Sequence, residues 1–135
     1  MLPIKVMAAT LTSELTLTMV GFESDDGYAM VALANSRDTF DARGDGPKPY
    51  KNARLKIKNG LAKHVFESLP HGEYAIKVFH DENSNQILDT GFLGIPKESF
   101  GFSNNASGTI GPPDYDDARF VLKSEKHKIH IEMQK

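Results

Sequence analysis

Apolar and polar residues alternate with period two along almost every segment of this chain, and that pattern restricts it to one class of fold. Successive side chains of a strand point to opposite faces, so alternation describes a ribbon with one dry and one wet side. Leu15, Leu17 and Met19 share one face, with Thr16 and Thr18 between them. A second run, residues 28–35, offers Val31 and Leu33 to a core, and Asp26-Gly27 before it predicts a hairpin joining the two strands. A third strand over residues 53–58 sets Ala53, Leu55 and Ile57 inward and Arg54, Lys56 and Lys58 outward. Asn59-Gly60 predicts a two-residue turn, because both residues accept positive φ, and residues 61–68 return from it. Tyr74, Ile76 and Val78 mark a fifth strand, Ala118, Phe120 and Leu122 a sixth, and Ile129, Ile131 and Met133 the last. Residues 36–40 allow one helical turn, and no longer stretch has helical period. The expected fold is all-β: a single antiparallel β-sandwich of about seven strands, each sheet with one buried and one wet face, and one long loop.

The chain of 135 residues holds one domain with one real core, expected over residues 13–135, with 1–12 as a leader or disordered start. A formal net charge of −2 lacks the basic footprint of a nucleic-acid binder. No apolar run approaches the roughly 20 residues of a membrane span. With no cysteine, disulfides, thiol catalysis and cysteine zinc sites are excluded. No histidine pair has helical zinc spacing, and neither G-x-S-x-G nor a glycine-rich phosphate loop is present. An enzyme is therefore not expected. A carboxylate-pair hydrolase is the third reading of the chain.

Charge is unevenly spread. Residues 81–117 carry seven acids against the single base Lys97. Within them, oxygen-bearing side chains recur at Asp81, Asn83, Asn85 and Asp89. Calcium is held by six to eight oxygens, which EF-hand loops supply at every second position, the seventh through a backbone carbonyl. With Asp81 as the first position, the expected ligands are Asp81, Asn83, Asn85, the carbonyl of Ile87, and Asp89. Gln86 stands where an EF-hand has glycine, and Phe92 where it has its bidentate glutamate. A cage here must be closed by another acid, from Glu98, Asp114, Asp116 or Asp117. The same residues also make good turn chemistry without any ion, since Asp and Asn bond their own backbone. Both readings stay open on the sequence.

Other features read as structural. His80, on the face of Tyr74, Ile76 and Val78, is expected to be a satisfied structural histidine. Phe100 and Phe102 are expected to tuck under the long loop as its own core. Arg43-Gly44-Asp45 spells an integrin-type tripeptide, a match that is common by chance. Asn105-Ala106-Ser107 is a formal glycosylation sequon.

Leu69-Pro70-His71-Gly72-Glu73-Tyr74 is similar to the L-P-x-G-x-Y turn of prealbumin-like and collagen-adhesin-B-type sandwich modules. The runs His80-Asp81-Glu82-Asn83-Ser84-Asn85, Leu88-Asp89, Phe92-Leu93-Gly94-Ile95-Pro96-Lys97-Glu98 and Gly101-Phe102-Ser103-Asn104-Asn105-Ala106 closely resemble a bacterial family, domain of unknown function 2141. The resemblance spans about residues 15–133. It implies a small prealbumin-like or immunoglobulin-like sandwich, usually exported and so periplasmic or extracellular, with no established activity. Gln86 departs from the family, which commonly has glycine there. The expectation is a non-enzymatic exported module, calcium-stabilised, binding an unknown protein, peptide or glycan, with neither nucleic acid nor a membrane span involved. The alternative is a structural accessory domain without ligand.

Overall fold

The computed structural model describes residues 11–41, 48–83, 98–107 and 113–134. The elements in order are β1 (Thr12–Val20), β2 (Tyr28–Ala34), α1 (Arg37–Asp41), β3 (Lys51–Lys56), β4 (Leu61–Pro70), β5 (Gly72–Asp81) and β6 (Phe100–Phe102). A 3-10 turn (Ser103–Asn105), α2 (Tyr115–Ala118), β7 (Phe120–Leu122) and β8 (Lys126–Glu132) follow. The strands form two sheets. One has the order β4-β1-β8; the other has β3-β2-β5-β6, with β7 also paired to β5. This is the all-β sandwich that the alternation demands, with eight strands among the described residues.

The alternating faces pack where expected. Leu15, Leu17 and Met19 of β1 face Val31 and Leu33 of β2, Ile76 and Val78 of β5, Leu122 and Ile131, all buried in one cluster between the sheets. Each such side chain stabilises by about 1.5–3 kcal/mol on burial. Tyr74 joins this core by its ring, while its hydroxyl donates to the carbonyl of Pro70 at 2.6 Å, which closes the Leu69–Tyr74 turn.

Four expectations need correction. Strands β1 and β2 do not form a hairpin: β1 pairs with β4 and β8, whereas β2 pairs with β3 and β5. The Asp25–Gly27 turn instead crosses between the sheets. Asp25 accepts from the amides of Asn59 and Gly60 at 2.8 Å each, so its carboxylate is spent on another turn. Asn59-Gly60 does make its two-residue turn, with φ 55° and 74° and both Lys58–Leu61 backbone bonds formed. The strands then part, β3 to one sheet and β4 to the other. The sandwich is not wholly antiparallel, because β1 and β8 run parallel. The two ends of the sequence thus meet in one sheet, a long-range pairing that no local signal encodes.

The fourth correction concerns the wet faces. The outer side of the five-stranded sheet is partly covered by a second cluster: Ala34, Phe40, Ala75, Phe102, Ala106, Tyr115 and Ala118. Small residues at Ala34 and Ala75 let α1, α2 and the 3-10 turn lie close on β2 and β5. Phe102 is buried there and Phe100 packs against it, so the two phenylalanines are tucked in as expected, but in a core shared with β2, α1 and β5 rather than private to the loop.

Candidate functional site

Strand β5 ends in two buried polar residues, His80 and Asp81, both with no exposed surface. His80 points into the sandwich, where its ring meets Phe22 edge-on at 5.2 Å. Its Nε2 lies 2.7 Å from the carbonyl of Asp26. A carbonyl only accepts, so Nε2 carries the proton and donates. Nδ1 has no hydrogen-bond partner. The ring ties β5 to the turn before β2 through Nε2 alone, so His80 is structural as expected but not fully satisfied.

Asp81 pairs with Tyr28 at the end of the β2–β5 ladder. Gly27 makes that approach possible. It has φ +68°, and a Cβ built on it would fall 1.9 Å from the carbonyl oxygen of Asp81. Only a residue without a side chain lets the start of β2 lie against this point of β5.

The chain leaves at Asp81 and comes back beside it. Glu98, only 5% exposed, accepts the amide of Glu82 through Oε2 at 2.9 Å. Ser99 accepts the amide of His80 at 2.9 Å, and β6 then pairs with β5 through Phe79↔Phe100, Val78↔Gly101 and Lys77↔Phe102. Strands β5 and β6 are thus two arms of one long hairpin, with Asp81 and Glu98 buried at its neck. Ser24 adds a hydrogen bond to Glu82 Oε2 at 3.1 Å. The burial of two carboxylates at one neck is costly unless each is compensated. Asp81, Asn83 and Glu98 all have interaction partners.

Of the expected calcium ligands, Asp81 and Asn83 are described, the first buried and the second exposed. Asn85, Ile87 and Asp89 lie outside the described residues, as does Arg43-Gly44-Asp45. Three of the acids considered for closing the cage are elsewhere. Asp116 pairs with Arg37 at 2.7 Å and lies 3.7 Å from Arg119, which in turn binds Glu73 at 2.8 Å. Glu73 is the second residue of β5 and Asp81 the last, about 26 Å apart at strand rise. Asp114 and Asp117 flank Asp116 in and before α2, so all three belong to the opposite end of the sheet. Glu98 alone of the four is at the neck. Among the described residues no three His, Asp or Glu side chains form a metal cluster.

The far-end network has its own electrostatics. Hydrogen bonds from Tyr115 and Arg119 hold the Glu73 carboxyl below its ordinary range, and Arg37 does the same for Asp116. Burial, with help from Glu73, pushes the Tyr115 hydroxyl up to about 12.

The run Phe102-Ser103-Asn104-Asn105-Ala106 is a latch. Ser103, fully buried, accepts the amide of Ile76 at 2.9 Å and donates to the carbonyl of Ala118 at 2.5 Å. The side-chain Nδ2 of Asn104 donates to the carbonyls of Asp117 and Arg119 at 3.1 and 2.8 Å. Asn105 accepts the amide of Glu132 at 2.9 Å. Both asparagines hold positive φ, 62° and 51°, a conformation asparagine tolerates better than most residues. Three consecutive polar residues thereby join β5, α2 and β8. Their chemistry is spent inside the protein, which explains the Ser-Asn-Asn run without a ligand. In the sequence this latch shows only as a density of small polar residues beside the two phenylalanines, which does not point to it by itself.

A family model described as an uncharacterized protein conserved in bacteria (DUF2141) matches residues 17–130 of the chain. Comparison with curated proteins and with solved structures returns no match.

Proposed function

The chain belongs to this uncharacterised bacterial family, and we propose that it is a non-enzymatic, exported binding module whose working end is the β5–β6 hairpin loop, stabilised by calcium at its neck. One observation carries the reading: Asp81 and Glu98 are each buried, one where the loop begins and the other where it ends, and Glu98 bonds the amide next to Asp81. The donor set fits a hard cation, because every candidate group is an oxygen. Asp81 and Asn83 open the ligand spacing, which continues in sequence through Asn85, Ile87 and Asp89. Glu98 takes the closing role that Phe92 is unable to fill. A bound cation compensates the buried charge and fixes the loop for a protein, peptide or glycan partner. Export to the periplasm or cell surface is supported by the family resemblance.

A second reading has its own support. The Glu98 bond to the Glu82 amide fixes the neck by itself, which suits a structural accessory domain with no ion. Thermal melting in calcium and in chelator separates the two. Ligand binding to the folded state alone raises stability by RT ln(1 + [L]/Kd), about 2.7 kcal/mol at a hundredfold excess over Kd. The calcium reading predicts a rise of several degrees that Asp81→Asn removes. Superimposable melts would leave the accessory domain.

A further inference from the structure

The sequence between Gly46 and Phe66 carries six cations, Lys48, Lys51, Arg54, Lys56, Lys58 and Lys63, and no acid. The middle of this stretch is β3, the terminal strand in the order β3-β2-β5-β6. Among the described residues, nothing pairs with its outer edge. Arg54, Lys56 and Lys58 are exposed, and none makes an ion pair with a carboxylate among the described residues. Arg54 stacks 3.7 Å above the centroid of Tyr28, and Lys56 lies 4.8 Å from the same ring.

We propose that the outer edge of β3 binds an extended acidic peptide, which adds as a further strand of the five-stranded sheet with carboxylates at alternate positions. Three features support the assignment. An edge strand presents unpaired N–H and C=O groups, and a partner strand satisfies them by main-chain hydrogen bonding. Arg54 and Lys56 in β3 and Lys58 just past its end recur every second residue, about 6.7 Å apart at strand rise, the repeat of alternate side chains on any paired strand. A peptide with Asp or Glu at alternate positions brings each carboxylate directly opposite a cation, where cross-strand side chains are neighbours. Tyr28 holds Arg54 and Lys56 over the sheet before any partner arrives, which lowers the ordering cost on binding.

Lysines on an edge also prevent indiscriminate pairing. Here that effect acts as selectivity: the same row of charge repels a second β3 and attracts an acidic strand. A sulfated glycan or nucleic acid would answer the charge and leave the backbone edge unmatched. The peptide is the occupant that uses both. The open edge of β4 differs, since its outward residues include Glu67 and the exposed apolar Val65.

The test is fluorescence anisotropy of the full chain with three labelled peptides. The first alternates Glu with Thr or Val, the second has the same composition with its acids in one block, and the third is the first with alternate backbone nitrogens methylated. The alternating peptide is expected to bind, with the other two weaker by about tenfold, the equivalent of one lost backbone hydrogen bond or charge pair. Arg54→Gln removes the stack on Tyr28 as well as a charge. Lys58→Gln, with no ring contact, is therefore the second variant, and both are expected to weaken binding while the far-UV spectrum stays unchanged. Equal binding of the three peptides, or full displacement by dextran sulfate at matched charge, would reduce the edge to a general polyanion surface and overturn the proposal. No binding of the alternating peptide would overturn it too.

Discussion

Replacing Gly27 by alanine tests how the neck is built. The new Cβ would stand 1.9 Å from the carbonyl oxygen of Asp81 and 2.8 Å from the carbonyl oxygen of Glu82. Both are backbone atoms, so no side-chain rotation relieves the contact. The start of β2 and the end of β5 must separate by about 1.5 Å to restore ordinary van der Waals distance. That separation breaks the terminal Tyr28↔Asp81 pair and loosens the adjoining His80–Asp26 bond. The left-handed φ of +68° costs an alanine about 1–2 kcal/mol more. Together with about one lost hydrogen bond and lost packing, the expected destabilisation is about 3–4 kcal/mol. For 135 residues this lowers the melting temperature by about 10–14 °C. Urea unfolding followed by circular dichroism measures the free energy directly, and melting gives the shift. In addition, Asp81 moves away from Glu98, so any calcium-dependent rise should vanish in the variant while it is still folded. A loss below about 1 kcal/mol would refute the claim that this close approach sets the geometry of the neck.

Ser103→Ala leaves the amide of Ile76 and the carbonyl of Ala118 buried without their partner, and is expected to cost about 2–4 kcal/mol in a urea titration. A neutral result would show that the latch does not hold α2. Acid should weaken the fold through Asp25, whose carboxyl is held below the ordinary range by the amides of Gly60 and Asn59. The contribution of such a lowered group is fully present above its unfolded pKa of about 4 and disappears as pH falls through the folded value. Asp25→Asn should therefore melt below the parent at neutral pH and converge with it well below pH 4; a gap independent of pH would contradict this. Glu73 and Asp116 act in the same direction, so Arg119→Gln should flatten the acid limb of the parent's stability profile, and an unchanged limb would count against the far-end network.

Much of the sandwich was legible because burial of one face obliges alternation. Leu15, Leu17, Met19, Val31, Leu33, Ile76, Val78, Phe120 and Leu122 all face the core that their spacing assigned to them, whereas Ala118, placed on the strand of Phe120 and Leu122, ends α2 and packs in the outer cluster instead. Partnership between strands was not legible. Asn59-Gly60 announces a turn, but whether the flanking strands stay together depends on the other sheet. The parallel pairing of β1 with β8 rests on residues more than a hundred positions apart, and tertiary packing alone selects it. The outer core escaped notice for a related reason: Phe40, Ala75, Phe102 and Tyr115 are scattered in sequence and share no period. At the neck, Asp81 stood out in the sequence as the first of the regularly spaced oxygen-bearing side chains. Glu98 stood among four equivalent acids until the return of β6 separated it from Asp114, Asp116 and Asp117. Gly27 looked like hairpin chemistry, and its reason is instead the backbone of Asp81.

A calcium-held neck is tested by titrating calcium into the full chain in an isothermal calorimeter, with Asp81→Asn and Asp116→Asn alongside. One calcium per chain is expected, with affinity in the range of extracellular modules, about 10⁻⁴–10⁻³ M, since few carboxylates contribute. Asp81→Asn should abolish the binding heat, and Asp116→Asn, in the ion-pair network at the Glu73 end of β5, should leave it intact. Absence of binding to the parent chain, or loss in Asp116→Asn with Asp81→Asn unaffected, would contradict a calcium-held neck between Asp81 and Glu98.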